Sequence, residues 1–211
     1  MRLGRFFPPI GLHVADHTAL VRRVVDSYTL EEPYAIAGGA SGDQWELHAA
    51  LFGPDPWGAG PQAYGGASQF EWFLDDKTSL TGQTRVAYTD VDLRILAGGI
   101  AKKWLPGPRL LFAGELDAQV QRIGGAAISR FELLAYASMT RVQRGLAVGL
   151  VAQRWDPDVM LGGTARTTSE LNVQLFPVAH FELHILARAQ WSGSVGERPD
   201  GVGLVQVHYF L

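Results

Sequence analysis

No cysteine occurs in the 211 residues, so disulfides, thiolate metal sites and thiol nucleophiles are excluded. Lysine is nearly absent, with only Lys77, Lys102 and Lys103 present. A formal net charge of −3 offers no basic footprint, and a nucleic-acid partner is not expected. No apolar run approaches the ~18 residues of a transmembrane helix. Pro8-Pro9 interrupts the stretch after the first basic residues, so no signal peptide is read there; a mature form or a piece of a longer chain is expected. Clean 3.6-residue periodicity is missing as well; His17–Tyr28 is the best helical candidate, and it is short. There is no G-x-S-x-G or comparable nucleophile setting, so neither an enzyme nor a cofactor is expected.

What the chain has instead is alternation. Apolar residues make up 47% of it, and the 25 glycines are spread throughout. In His180–Trp191, Phe181, Leu183, Ile185, Ala187, Ala189 and Trp191 oppose His180, Glu182, His184, Arg188 and Gln190, with Leu186 breaking the rule. Side chains alternate across a strand, so this is a strand with one apolar and one polar face. Twelve such segments are read: Arg2–Phe7, Tyr34–Ala40, Gln44–Phe52, Ala67–Leu74, Ser79–Tyr88, Leu93–Trp104, Arg109–Gln121, Ser129–Arg141, Leu146–Trp155, Ala165–Phe176, His180–Trp191 and Val202–Leu211. The second, sixth and ninth are glycine-rich, and their faces stay unassigned.

Connections alternate too. Ser41–Asp43, Asp75–Thr78, Pro106–Pro108, Val142–Gly145 and Pro177–Ala179 are short, whereas most of the others are longer and rich in Gly, Pro or Asp. Long strands, short turns at one end and longer loops at the other predict an antiparallel transmembrane β-barrel of about twelve strands in a bacterial outer membrane. It would be one domain, 1–211, with both termini on the periplasmic side. Trp45, Tyr88, Trp104, Trp155, Trp191 and Tyr209 sit near strand ends and are read as interfacial aromatics. Closure requires the first and last strands to pair, and Arg2–Phe7 is a short, proline-limited partner.

"GRFFPPIGL" (Gly4–Leu12) resembles the Gly-Arg/Lys-Phe-x-x-Pro-Phe/Ile-Gly-Leu stretch of porins related to the phosphate-selective porin O/P family. The resemblance implies a channel, and a loop (13–33) that folds into the barrel. Family members are longer and rich in lumenal Arg and Lys. Here lumenal Arg is balanced by acids, so phosphate selectivity is not carried over.

The expected pore-lining residues are Arg5, Glu46, His48, Glu71, Arg85, Glu115, Asp117, Arg130, Glu132, Arg166, Glu170, Glu182, His184, Arg188 and His208. Arg22 and Arg23 are the constriction candidates, weighed equally against a solvated loop. His180 and His184 would be about 13 Å apart on one strand face and cannot share a metal. Asp75-Asp76 is read as turn chemistry, and Asp156-Pro157-Asp158 as an ordinary polar loop rather than a calcium site. The expected function is passive diffusion of small hydrophilic solutes. Its partners would be those solutes and outer-membrane lipid, with a homotrimer left open. A plugged, nonconducting barrel and a soluble ligand-binding β-barrel are the rivals.

Overall fold

The computed structural model describes residues 1–12, 19–20, 32–58, 62–124, 130–193 and 198–209. It contains β1 (Arg2–Arg5), β2 (Tyr34–Gly42), β3 (Trp45–Gly53), β4 (Tyr64–Asp75), β5 (Thr78–Tyr88), β6 (Asp92–Leu105), β7 (Leu110–Ile123), β8 (Arg130–Gln143), β9 (Leu146–Asp156), β10 (Arg166–Val178), β11 (Phe181–Ser192) and β12 (Asp200–Tyr209). Each strand pairs antiparallel with the next, giving one sheet in sequence order. All twelve expected strands are present. β1 stops at Arg5 rather than Phe7: Phe6 N still donates to Pro33 O at 3.4 Å, but Pro33 has no N–H to return, and Pro8-Pro9 supply no donors to carry the ladder further. No β1–β12 register is found among the described residues. Most of His17–Tyr28 lies outside them.

Short turns carry their own chemistry. Asp75 Oδ1 accepts from Lys77 N at 2.7 Å, and Oδ2 accepts from Thr78 Oγ1 at 3.1 Å. The residue entering β7, β9 and β11 has positive φ in each case: Arg109 at 56°, Gly145 at 72° and His180 at 64°. Only Gly145 fits that conformation without steric cost.

The sheet curves around an interior. Gln83 on β5 hydrogen-bonds Glu115 and Asp117 on β7 on the concave face, reaching across Gly98 of the intervening β6, which has no side chain to block the approach. The segment Phe6–Leu12 lies within that concavity. Phe6 packs with Ala35, Phe52 and Ala87, while Ile10 packs with Leu96, Leu134 and Tyr136. Contacts to strands this far apart in sheet order make the architecture a barrel-like wrap.

Polarity is inverted relative to a water-soluble protein. Thr168, Asp117, Gln153 and Gln83 are 1–3% exposed, whereas Leu51, Val205 and Leu116 are 62–67% exposed. Soluble domains bury Leu and expose Gln and Asp. Register settles the faces left open by the glycine-rich strands. On β6, Asp92, Arg94, Leu96, Gly98, Ile100, Lys102 and Trp104 face inward, since Gly98 lies opposite Asp117 and Ile100 opposite Glu115. On β2, Ala35, Ala37 and Gly39 face inward, and on β9 Gly149, Val151, Gln153 and Trp155 do.

Two interfacial expectations are corrected by this register. Trp104 shares the inward face with Ile100 and Lys102. Trp155 packs on the interior cluster around Ile10, with Nε1 directed to Glu132 Oε2 at 3.5 Å. The other four expected aromatics, Trp45, Tyr88, Trp191 and Tyr209, are on the exterior face by register; there Tyr88 stacks with Tyr64 (centroids 5.5 Å) at the long-loop end and Trp45 with Phe70 (6.1 Å) at the short-turn end.

Candidate lumenal site

The interior is organised around Gln83. Alternation on β5 aims Ser79, Thr81, Gln83, Arg85 and Ala87 inward, and all are buried. The Gln83 amide nitrogen donates to Glu115 Oε1 (2.8 Å) and to Asp117 Oδ1 (2.6 Å). Its oxygen accepts from Gly11 N (2.6 Å) and from Gln69 Nε2 (3.2 Å). Glu115 Oε2 accepts from Leu12 N at 2.8 Å. Gln69 Nε2 also lies 3.4 Å from Gly11 O. Residues of β4, β5 and β7 thus bind the backbone of the inserted segment at Gly11-Leu12, while Ile10 anchors it in the apolar cluster. Buried N–H groups need acceptors, and these side chains supply them where no strand does. Gly11 has φ of 73°, so the sharp bend at this contact suits glycine.

A second polar wall lies on β9 to β12. Arg188 and Glu170 are register partners, and the guanidinium donates to Glu170 Oε2 at 2.9 Å. Gln153 also donates to Glu170. Glu182 Oε2 is 3.2 Å from His208 Nδ1, and His184 Nδ1 is 3.3 Å from Gln206 Oε1. On the other side, Lys102 pairs with Glu71 at 2.5 Å, and His48 Nε2 is 3.4 Å from Glu46 Oε2. Arg85 lies over the Phe52 ring at 5.4 Å and Arg166 over Trp155 at 5.5 Å. Arg130 sits opposite Gln121 at the long-loop rim, where Gln121 and Arg94 both donate to Asp92.

Fourteen of the fifteen residues expected to line the interior share its face by register: Glu46, His48, Glu71, Arg85, Glu115, Asp117, Arg130, Glu132, Arg166, Glu170, Glu182, His184, Arg188 and His208. Arg5 does not, and that expectation is corrected. β1 sets Arg2 and Gly4 against the inward Ala37 and Ala35, which turns Leu3 and Arg5 outward. Arg5 Nε donates to Glu32 O at 3.2 Å, with the guanidinium 5.7 Å from the Tyr34 ring. Arg2 takes the inward position, 4.2 Å over Phe6. Arg22 and Arg23 lie outside the described residues.

Sequence reasoning missed Gln83 and Gln69. The signal was present in the alternation of β5, but uncharged amides do not stand out until their partners are known. Among the described residues no His, Asp and Glu cluster is arranged to hold a metal ion. Asp156 and Asp158 are occupied by their own loop: Asp156 Oδ1 accepts from Thr164 Oγ1 (2.8 Å) and Asp158 Oδ1 from Met160 N (3.1 Å).

On the β5–β10 side the inward Gln83, Glu115, Asp117, Gln153 and Thr168 are buried. Beside the inserted segment, toward β2–β4, a cavity of about 440 Å³ is lined by Arg2, Phe7, Pro9, His48 and Gln69, among others.

No family model matches this sequence, and no curated protein does. The likeness of Gly4–Leu12 to the phosphate-selective porin O/P stretch therefore rests on those residues alone. Solved structures do match. The outer membrane channel DcaP of Acinetobacter baumannii superposes with a TM-score of 0.62 at 11% identity, over 85% of this chain and 63% of that one. A bacterial polysaccharide outer membrane secretin matches with a TM-score of 0.55, also at 11% identity, over 85% of this chain and 70% of the other. This chain thus spans under two thirds of the length of the channel it resembles, and the likeness at this identity is one of fold: an all-antiparallel β-barrel of the outer-membrane channel type.

Proposed function

We propose that the chain forms the wall of a bacterial outer-membrane channel for passive diffusion of small hydrophilic solutes. The segment Phe6–Leu12 would narrow the bore. The observation that carries the reading is the inverted polarity. Charged and amide side chains face a common interior, and exposed Leu, Ile and Val form the exterior. An exterior of this kind is stable against lipid, and the interior is of the kind that borders water. Strands of up to 14 residues exceed the ~9–11 needed to cross a bilayer with tilt. The fourteen inward residues named above are the proposed lining. The cavity beside His48 and Gln69 is the proposed residual path. Arg22 and Arg23, which follow the inserted segment in the sequence, are the proposed anion-favouring pair.

Planar-bilayer recording tests this. Discrete ion steps are expected from folded protein, and R22Q/R23Q shifts the reversal potential toward cations. A second reading, a plugged barrel, is favoured by one observation: the inward polar side chains Gln83, Glu115, Asp117, Gln153 and Thr168 on the β5–β10 side are each at most 4% exposed. Silence from the wild type, together with steps from a variant whose Gly11-Leu12 docking is removed, would select that reading.

A further inference from the structure

We propose that the exterior of β7–β9, at its short-turn end, binds an anionic glycerophospholipid. The site takes the phosphate between Arg141 and Arg144, and an acyl chain along Met139 and Leu150. The proposal rests on the membrane reading above.

Arg141 is an exposed cation on an apolar face. Register places it between Leu110 on β7 and Val148 on β9. The next exterior rung toward mid-strand is Met139, between Phe112 and Leu150. A groove of about 570 Å³ runs along these residues. With the Gln143 amide oriented to accept, its oxygen lies 3.3 Å from Arg141 Nε and 3.1 Å from a terminal nitrogen. Gln143 is two residues nearer the turn on the same face, so it holds the guanidinium toward the water boundary, where a lipid phosphate sits.

The surrounding charge has one sign. Arg109 is in the adjacent turn, with its carbonyl accepting from Val142 N at 2.9 Å, and Arg144 is in the turn entering β9. Lys103 is on the exterior of β6. No carboxylate occurs in 101–114 or in 133–155, whereas the other short turns include Asp43, Asp75 and Asp76. Cations clustered at one quadrant of one rim, above an apolar groove, complement a molecule with an anionic head and an aliphatic tail. A free phosphate would have no use for the groove.

The test inserts the full chain into phosphatidylcholine vesicles with and without phosphatidylglycerol. Retained lipid is then counted by native mass spectrometry after transfer to detergent. Wild type should retain phosphatidylglycerol over phosphatidylcholine. Each arginine removed, in R141Q and then R141Q/R144Q, should cut that preference roughly fivefold, the worth of one cation at an anionic surface. R122Q/R154Q removes exterior cations at the opposite end and should leave the preference intact. Equal preference in R141Q/R144Q, no preference in wild type, or displacement by soluble glycerophosphate as effectively as by lipid would each overturn the proposal. Insertion without lipid preference sinks this site alone. Failure to insert into either vesicle sinks the membrane reading and this site with it.

Discussion

The Asp117 carboxylate lies over Gly98, its register partner on β6. A Cβ built on Gly98 would meet that side chain at once, and the Leu116 carbonyl oxygen at 2.7 Å. The glycine is thus what lets Asp117 reach Gln83. Gly98→Ala should displace the carboxylate and lower stability by about 1–3 kcal/mol, as overpacking does. Chemical denaturation in detergent measures this. The second substitution Asp117→Ala should recover part of the loss, and no recovery would refute the steric account.

Gln83 and Glu115 hold the inserted segment, and their removal should free it. Gln83→Leu leaves Gly11 N–H without its acceptor, and Glu115→Ala does the same to Leu12. Each should cost roughly 1–3 kcal/mol. Both should also raise single-channel conductance and open Phe6–Leu12 to proteolysis. Unchanged conductance in both would separate docking from gating.

Arg188 and Glu170 form a nearly buried pair, with side chains 10% and 2% exposed. Arg188→Met strands a buried carboxylate, and should cost about 3–5 kcal/mol. In R188M/E170Q the charge is gone, and most of the loss should return. A thermal melt of the two variants in the same detergent compares them directly.

Leu116 is 62% exposed near the middle of β7. If that face meets lipid, Leu116→Arg should weaken folding into vesicles by about 2–4 kcal/mol. The neighbouring inward Gln119 should tolerate Gln119→Glu far better. Equal insertion of L116R and wild type would contradict a lipid-facing β7.

Positive φ separates the short turns. Gly145→Val adds strain at φ of 72° and sets a Cβ 3.2 Å from Phe176 O, so a loss of roughly 1–2 kcal/mol is expected. His180→Gly relieves a side chain held at φ of 64° and should be neutral or mildly stabilising. Matched denaturation curves decide it.

Much of this fold is legible along the chain because strand alternation is a local property. The faces of β11, from Phe181 to Trp191, follow from period two with no knowledge of neighbours, and the turn role of Asp75 follows from its own backbone. Legibility fails where the period is right but the sign of the face is not determined. Arg5 and Trp155 each sit on a strand whose apolar and polar residues do not sort cleanly. One register, against Ala35 and Ala37 for β1 and against Arg166 for β9, decides which way each points.

By itself, then, the sequence determined twelve strands, their approximate ends, and an amphipathic wall with charge on one side. These need only residue-to-residue sterics and polarity. Only the tertiary structure decided which polar groups meet. Leu12 reaches Glu115 across 103 residues, and Gln83 reaches Asp117 across 34. Those contacts depend on how the sheet curves and where Phe6–Leu12 enters it, and no local pattern encodes the distance between two walls of a curved sheet.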